Sequence, residues 1–271
     1  MRSTTRLFAL ALGLAGAAPA MAATCDDPRG FTAFLADIRT EAAAQGIAPA
    51  AVAALDGLTP EPKVVSLDRG QHVFKQSFEE FSARMISPSR LKQGANRLKQ
   101  YGSALSRIEA AYGVPGPVIV AIWGLETDYG AVTGDVSTLR ALATLAFDCR
   151  RSAKFQGELL DALRLVARGD LKPAEMKGAW AGELGQAQFM PSSYLKYAVD
   201  FNGDGRRDLL RDPLDVMASI ANYLKEHGWR SGAGWEPGEP NFDVIRQWNA
   251  ADVYARTIAA FATKLAATQA Q

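Results

Sequence analysis

The 271-residue chain holds only two cysteines, Cys25 and Cys149, which excludes a fold held together by a dense disulfide framework. Neither sign of charge is in surplus, with 30 Lys+Arg against 29 Asp+Glu, and that excludes the basic surface of a nucleic-acid binder. Beyond the first residues no stretch reaches the roughly 18 uninterrupted apolar residues of a membrane-spanning helix, so no transmembrane span is expected in the mature chain. Alternating β-branched runs are scarce. DVIRQWN (243–249) and DVYARTIAAFA (252–262) are the short exceptions, the second equally readable as a helix. No internal repeat or long linker divides the chain.

What is present begins with an export signal. Arg2 and Arg6 precede an apolar stretch from Leu7 to Ala18, and Ala20-Met21-Ala22 is a small-residue cleavage pattern. Residues 1–22 are therefore read as a signal peptide, and the mature protein as soluble, periplasmic and monomeric. Removing Arg2 and Arg6 leaves 28 cations against 29 anions. In an oxidising compartment a Cys25–Cys149 bridge is the natural expectation. The alternative is two thiols, Cys149 buried as a small apolar residue and Cys25 on a loose terminus.

Helical periodicity dominates the mature chain. Phe31, Phe34, Leu35 and Ile38 share one face, and Leu91, Leu98, Tyr101, Leu105 and Ile108 share another that runs on to Tyr112-Gly113. Pro115 and Pro117 suit a first helical turn, and the residues after them are apolar on all sides, as a central buried helix requires. Further helices are expected in STLRALATLA, FQGELLDALRLVARG and DPLDVMASIANYLKEHG. The last has Asp212 as cap, Pro213 at the first helical position and Gly228 as stop. The Gly- and Pro-rich segment SGAGWEPGEP (231–240) is expected as a surface loop. The fold class is mainly α, with at most a small β element.

Within that central helix AIWGLETDYG (121–130) places its one glutamate, Glu126, in the last turn, with Gly124 expected to leave open space on one side. Burial disfavours a charged carboxylate and raises its pKa, which suits a general acid for glycosidic cleavage. The plainer alternative is a helix-ending glutamate satisfied by an amide or an arginine. Asp128 is the near partner carboxylate, but residues i and i+2 of a helix face apart. In GAWAGELGQAQFMPSSYLKYA (178–198) small residues interleave with Trp180, Gln188, Phe189 and Tyr194. That pattern suits either a sugar groove or a tight helix crossing.

IWGLETDYG, CRR after FD, GELGQAQFMPSSY, YAVDFNGDGRRDL and SIANYLKEHGW occur here in the order found in the B-type lytic murein transglycosylases, which the chain resembles over nearly all of its mature length. The resemblance implies a lysozyme-like catalytic core over 91–271, an N-terminal helical region over 23–90 packed on it, and peptidoglycan strands as substrate. It implies cleavage of the β-1,4 bond between N-acetylmuramic acid and N-acetylglucosamine without water, leaving a 1,6-anhydromuramoyl end. Glu126 matches the single acid/base of that family. Arg150 and Arg151 match paired arginines for lactyl or peptide carboxylates, Gln188 and Tyr223 match cleft residues, and Tyr254 matches a groove tyrosine. Ala179 replaces a groove serine, and Trp248 replaces a groove tyrosine. A lysozyme-like hydrolase would need a second carboxylate, Asp128 and Asp135 being nearest in sequence, and a non-catalytic glycan scaffold would need a damaged acid.

DFNGDGRRDLLR (200–211) has its own spacing. Asp200, Asn202, Asp204 and Asp208 stand at positions 1, 3, 5 and 9 of an EF-hand loop, Gly205 at 6, and the Arg206 carbonyl at 7. Position 12 is Arg211 instead of a bidentate glutamate. The family closes an extended loop with a later carboxylate, matched here by Asp215, so a structural calcium or sodium ion is expected over 200–215. The alternative is an ion-free Asp/Asn/Gly turn followed by a helix-starting aspartate.

Overall fold

The computed structural model describes residues 23–70 and 76–269, so the expected signal over 1–22 lies outside the described residues. In chain order come α1 (Phe31–Ala44), α2 (Pro49–Val52), α3 (Pro62–Arg69), α4 (Phe78–Met85), α5 (Pro88–Gln100), α6 (Gly102–Tyr112) and α7 (Gly116–Thr127). There follow β1 (Val136–Ser137), α8 (Thr138–Phe147), α9 (Ser152–Arg168), β2 (Lys177–Gly178), α10 (Pro191–Tyr197), α11 (Pro213–Glu226), α12 (Phe242–Trp248) and α13 (Asp252–Ala267). The two short strands pair antiparallel, Val136 opposite Gly178, and are the small β element.

The core is built round α7, on which α5, α6, α11 and α13 all pack. Its ten residues from Gly116 to Leu125 are buried, so its sequence has no polar face to offer. Pro115 caps it and Pro117 occupies the first turn, where a missing N–H costs no helical bond. Outside this bundle α8 packs along α9, and α1 and α3 rest on that pair. The Cys25–Cys149 disulfide ties the chain ahead of α1 to the α8–α9 turn, with Cα atoms 5.1 Å apart. No single helix among the described residues is long and apolar enough to cross a membrane.

Two expectations are corrected and one of two open alternatives is closed. The periodic run through Leu91 and Ile108 is two helices that meet at Tyr101, because α5 must lie against α7 and α13 while α6 lies against α7 and α11. DVIRQWN is helical in α12, where Phe242, Val244 and Ile245 are buried together. The segment 178–190 is neither helix nor helix crossing. It is a series of turns closed by a bridge between Leu184 and Phe189, followed by α10. Glycine is required there: a side chain on Gly178 would meet the Glu183 carbonyl, and Gly185 has φ 68° with the Leu209 carbonyl 2.5 Å from where its Cβ would stand. The end signals of α11 are found as read, with Asp212 accepting from the amides of Leu214 and Asp215.

Candidate active site

The end of α7 sets the site. Asp128, Tyr129 and Gly130 take left-handed backbone conformations in succession (φ 49°, 61° and 87°), so the chain turns away immediately after Glu126. For Asp128 and Tyr129 such angles are uncommon and need support from their surroundings. Arg90 of α5 supplies it, its Nε 2.5 Å from Asp128 Oδ1 and its carbonyl accepting from the Tyr129 hydroxyl at 2.9 Å. The expected space beside Gly124 is filled by the Tyr129 ring, which would lie 2.6 Å from a Cβ there. Gly124 therefore admits a neighbouring ring instead of leaving room for substrate.

Glu126 is half-buried at this helix end. Two donors from the α12–α13 corner reach it: Trp248 Nε1 at 2.8 Å and the Tyr254 hydroxyl at 2.9 Å, both to Oε1. Desolvation pushes its carboxyl up, the two hydrogen bonds pull it down, and the charge of Glu183 pushes it up again, leaving it at about 7. Burial and the neighbouring Glu126 hold the Tyr254 phenol well above its ordinary range, so Tyr254 stays a donor. With Oε1 engaged twice, Oε2 is the oxygen suited to carry the proton.

Glu126 borders a cleft of about 680 Å³, also lined by Arg151, Gln188, Tyr223 and Trp248. One side is aromatic: Phe189, Tyr223 and Trp248 stand with ring centroids 5.0 to 5.8 Å apart. Tyr223 is fixed by its hydroxyl on the Gln247 carbonyl (2.7 Å), and Gln188 by Nε2 on the carbonyls of Thr133 and Gly185. Such a wall, with fixed amide and hydroxyl groups beside an acid, matches the alternating apolar faces and polar edges of a sugar chain.

The paired arginines divide. Arg151 lines the cleft; Arg150 is not among its lining residues, and its Nε donates to Asp68 of α3 at 2.5 Å. Arg151 bonds the other oxygen of the same carboxylate. Burial raises the Asp68 carboxyl, but the hydrogen bonds from Arg150 and Arg151 outweigh it and hold the group below its ordinary value. Asp128, the nearest second carboxylate in sequence, is engaged with Arg90, whereas Glu183, not singled out from the sequence, lines the cleft with Lys154. The signal for Glu183 was available: it is a lone acid among small residues, as Glu126 is among apolar ones. Gln186 was also missed. It accepts from Trp123 Nε1 at 3.0 Å and donates to the Leu210 carbonyl at 3.0 Å, while its own carbonyl accepts from Thr127 at 2.7 Å. It thereby joins α7 to the end of the 200–211 loop.

In that loop Asp200 accepts from the amides of Gly203, Asp204 and Gly205, Asp204 accepts from Arg206, and Gly205 turns the chain with φ 86°. Asp215 is fully buried and takes one amide on each oxygen, Phe201 at 2.8 Å and Asp208 at 2.9 Å. Arg211, at position 12, is directed to Glu175 (2.6 Å) and Asp208. The donor set is hard oxygen throughout, which fits calcium or sodium. Among the described residues, no three Asp, Glu, His or Cys side chains are placed to hold one ion.

Residues 30–238 match the family model described as Transglycosylase SLT domain. Membrane-bound lytic murein transglycosylase B of Escherichia coli (strain K12) is 43% identical over 169 residues, a match covering 59% of this chain and 46% of the relative, so less than half of that protein's length is spanned. Among solved structures, SltB3 from Pseudomonas aeruginosa in complex with NAG-anhNAM-pentapeptide superposes with a TM-score of 0.83 at 30% identity, covering 88% of this chain and 80% of that one. Slt35 from Escherichia coli in complex with calcium gives a TM-score of 0.79 at 29% identity, over 88% and 94% of the two chains. The mainly α architecture is thus the lysozyme-like fold of lytic transglycosylases.

Proposed function

The chain belongs to the Transglycosylase SLT domain family, and from that premise we propose that it is a lytic transglycosylase of peptidoglycan with Glu126 as its one acid and base. The observation that carries this reading is the Glu126 carboxyl itself: it borders an aromatic-walled cleft, has two donors on Oε1, and sits at about 7. A group poised there can give a proton and take one back near neutrality.

In the first step the Glu126 proton passes to the oxygen of the β-1,4 bond between N-acetylmuramic acid and N-acetylglucosamine, and the bond from that oxygen to C1 breaks. The muramoyl acetamido group supports the positive charge at C1. Glu126, now a carboxylate stabilised by Trp248 and Tyr254, takes the proton of the C6 hydroxyl as that oxygen bonds to C1. The ring closes, no water is consumed, and Glu126 is protonated again. Tyr223, Trp248 and Gln188 hold the sugars, and Arg151, the member of the arginine pair that lines the cleft, meets carboxylates of the lactyl or peptide arm.

The same reading places the enzyme in the periplasm, exported by residues 1–22 and acting as a monomer, with residues 23–90 packed on a core from 91. It gives the 200–215 loop a structural calcium or sodium ion, held by Asp200, Asn202, Asp204, the Arg206 carbonyl and Asp215. The oxygen-only donor set and the calcium complex of the related Slt35 support this. Glu183 in the cleft favours one second reading, hydrolysis with Glu183 activating a water. Product analysis separates the two, since only hydrolysis makes a reducing end.

A further inference from the structure

Glu126 lies in the last turn of α7, and the chain leaves that turn at once through three left-handed residues. Helix ends fray unless something holds them. Two side chains of that turn, Trp123 and Thr127, stand four residues apart and so on one face of the helix, and both lead to Gln186. Trp123 Nε1 donates to Gln186 Oε1 at 3.0 Å, and the Thr127 hydroxyl donates to the Gln186 carbonyl at 2.7 Å. Glu126 falls between the two in sequence, so the helix on either side of the acid is tied to one residue.

We propose that Gln186 is a positioning residue for the reaction, holding the last turn of α7 so that Glu126 meets both the cleft and its two donors, Trp248 and Tyr254. This rests on the peptidoglycan reading given above. Gln186 is buried and is not among the residues that line the cleft, so it acts through Glu126 instead of touching substrate. The place requires an amide. An indole N–H can only donate and a backbone carbonyl can only accept, and a primary amide answers both: Oε1 takes Trp123 while Nε2 donates to the Leu210 carbonyl at 3.0 Å. A carboxylate would turn an acceptor toward that carbonyl. An apolar side chain would leave the indole and the carbonyl unpaired in the interior.

The other end of the tie is fixed as well. The Gln186 backbone amide donates to the Leu209 carbonyl at 2.8 Å, and Leu209 is fully buried. The turn after Glu126 closes on the same side chain, since a Cβ on Gly130 would collide with Gln186 Oε1 and the Gly130 amide donates to the Thr127 hydroxyl at 3.0 Å. Gln186 itself lies between Leu184 and Phe189, which are bridged, in the turn that supplies Gln188 and Phe189 to the cleft. The residue that anchors the acid therefore belongs to the segment that builds part of the sugar-binding wall, and the acid is held in register with that wall at one point.

The test uses the full chain carrying Gln186→Met, which keeps the length of the side chain, removes both of its hydrogen bonds and leaves the two made by the backbone. Steady-state release of fragments from peptidoglycan, measured well below the melting temperature, should show kcat lowered about tenfold or more, since a misplacement of about 1 Å can cost on the order of a hundredfold. KM should stay within about twofold, because no group that touches the glycan has been removed. The effect of Trp248→Phe on the alkaline limb of the pH–rate profile should also shrink in the Gln186→Met background, because an acid that has left its seat no longer feels the indole; neighbours joined in this way are not additive. A lowered melting temperature with kcat unchanged, a raised KM with kcat unchanged, or a full Trp248→Phe effect in both backgrounds overturns the proposal. Should Gln186→Met fail to fold, Thr127→Val removes the donor to the Gln186 carbonyl and must show the same fall in kcat at constant KM; wild-type kcat in that variant overturns the proposal too. A wild type that releases nothing from peptidoglycan overturns the reading on which the proposal rests, and the proposal with it.

Discussion

Trp248 Nε1 donates to Glu126 Oε1 at 2.8 Å across 122 residues of sequence. The bond favours the ionised carboxylate and so opposes the burial that raises its pKa. Trp248→Phe keeps the ring and removes the donor. The alkaline limb of the pH–rate profile should then move upward by about one unit, the scale of a hydrogen bond to a charged group. An unmoved limb would mean that the indole is only part of the groove wall.

Glu126 also links pH to stability. Its carboxyl titrates at about 7 in the folded protein against 4.5 for an unperturbed glutamate. Between those values the folded state binds more protons than the unfolded one, so this group makes stability fall as pH rises from 4.5 to 7, by up to about 3 kcal/mol. Glu126→Gln cannot titrate. Relative to wild type it should gain stability over that window in urea unfolding, while losing at least about a hundredfold in turnover. A stability difference independent of pH would remove the raised pKa from the account.

The Cys25–Cys149 bridge closes a separation of 124 residues. In the chain-entropy model a loop of that length stabilises by about 4 to 5 kcal/mol, less where the reduced chain keeps structure. Cys25→Ser with Cys149→Ser should lower the melting temperature markedly and leave catalysis at low temperature intact, because neither residue lines the cleft. Equal melting temperatures for the two proteins would show that the N-terminal segment is held by its other contacts, such as Gln156 on the Ala23 carbonyl at 2.7 Å.

Millimolar calcium should raise the melting temperature of the wild type and not that of Asp204→Ala. A ligand bound only to the folded state adds about 2.7 kcal/mol at a hundredfold excess over Kd. The affinity should be weaker than in a complete EF-hand, since Arg211 occupies the position of the bidentate glutamate and is paired with Glu175 and Asp208. Coincident unfolding curves in chelator and in calcium would make the loop a hydrogen-bonded turn.

The parts legible in sequence were those governed by local rules. The all-apolar α7 with its two prolines, the Asp212 cap of α11 and the isolation of Glu126 each follow from neighbours in the chain. What was illegible depends on distant partners. Nothing near Tyr101 tells that α5 and α6 have different neighbours to serve, and nothing near Gly124 tells that the Tyr129 ring will occupy its open side. Trp248 and Tyr254 were named as groove residues through resemblance alone. That both hydrogen-bond one oxygen of Glu126 required the fold. Glu183 was passed over because acids in glycine-rich turns are usually solvated, and only the fold reveals that this one lines the cleft.

The central claim is that one carboxyl performs both proton transfers without water, and mass spectrometry of digested peptidoglycan tests it most directly. The predicted products are 1,6-anhydromuropeptides, each lighter by one water than the hydrolysed fragment and inert to borohydride. New muramic acid ends that borohydride reduces would contradict the claim, make the enzyme a hydrolase, and turn attention to Glu183 as the base.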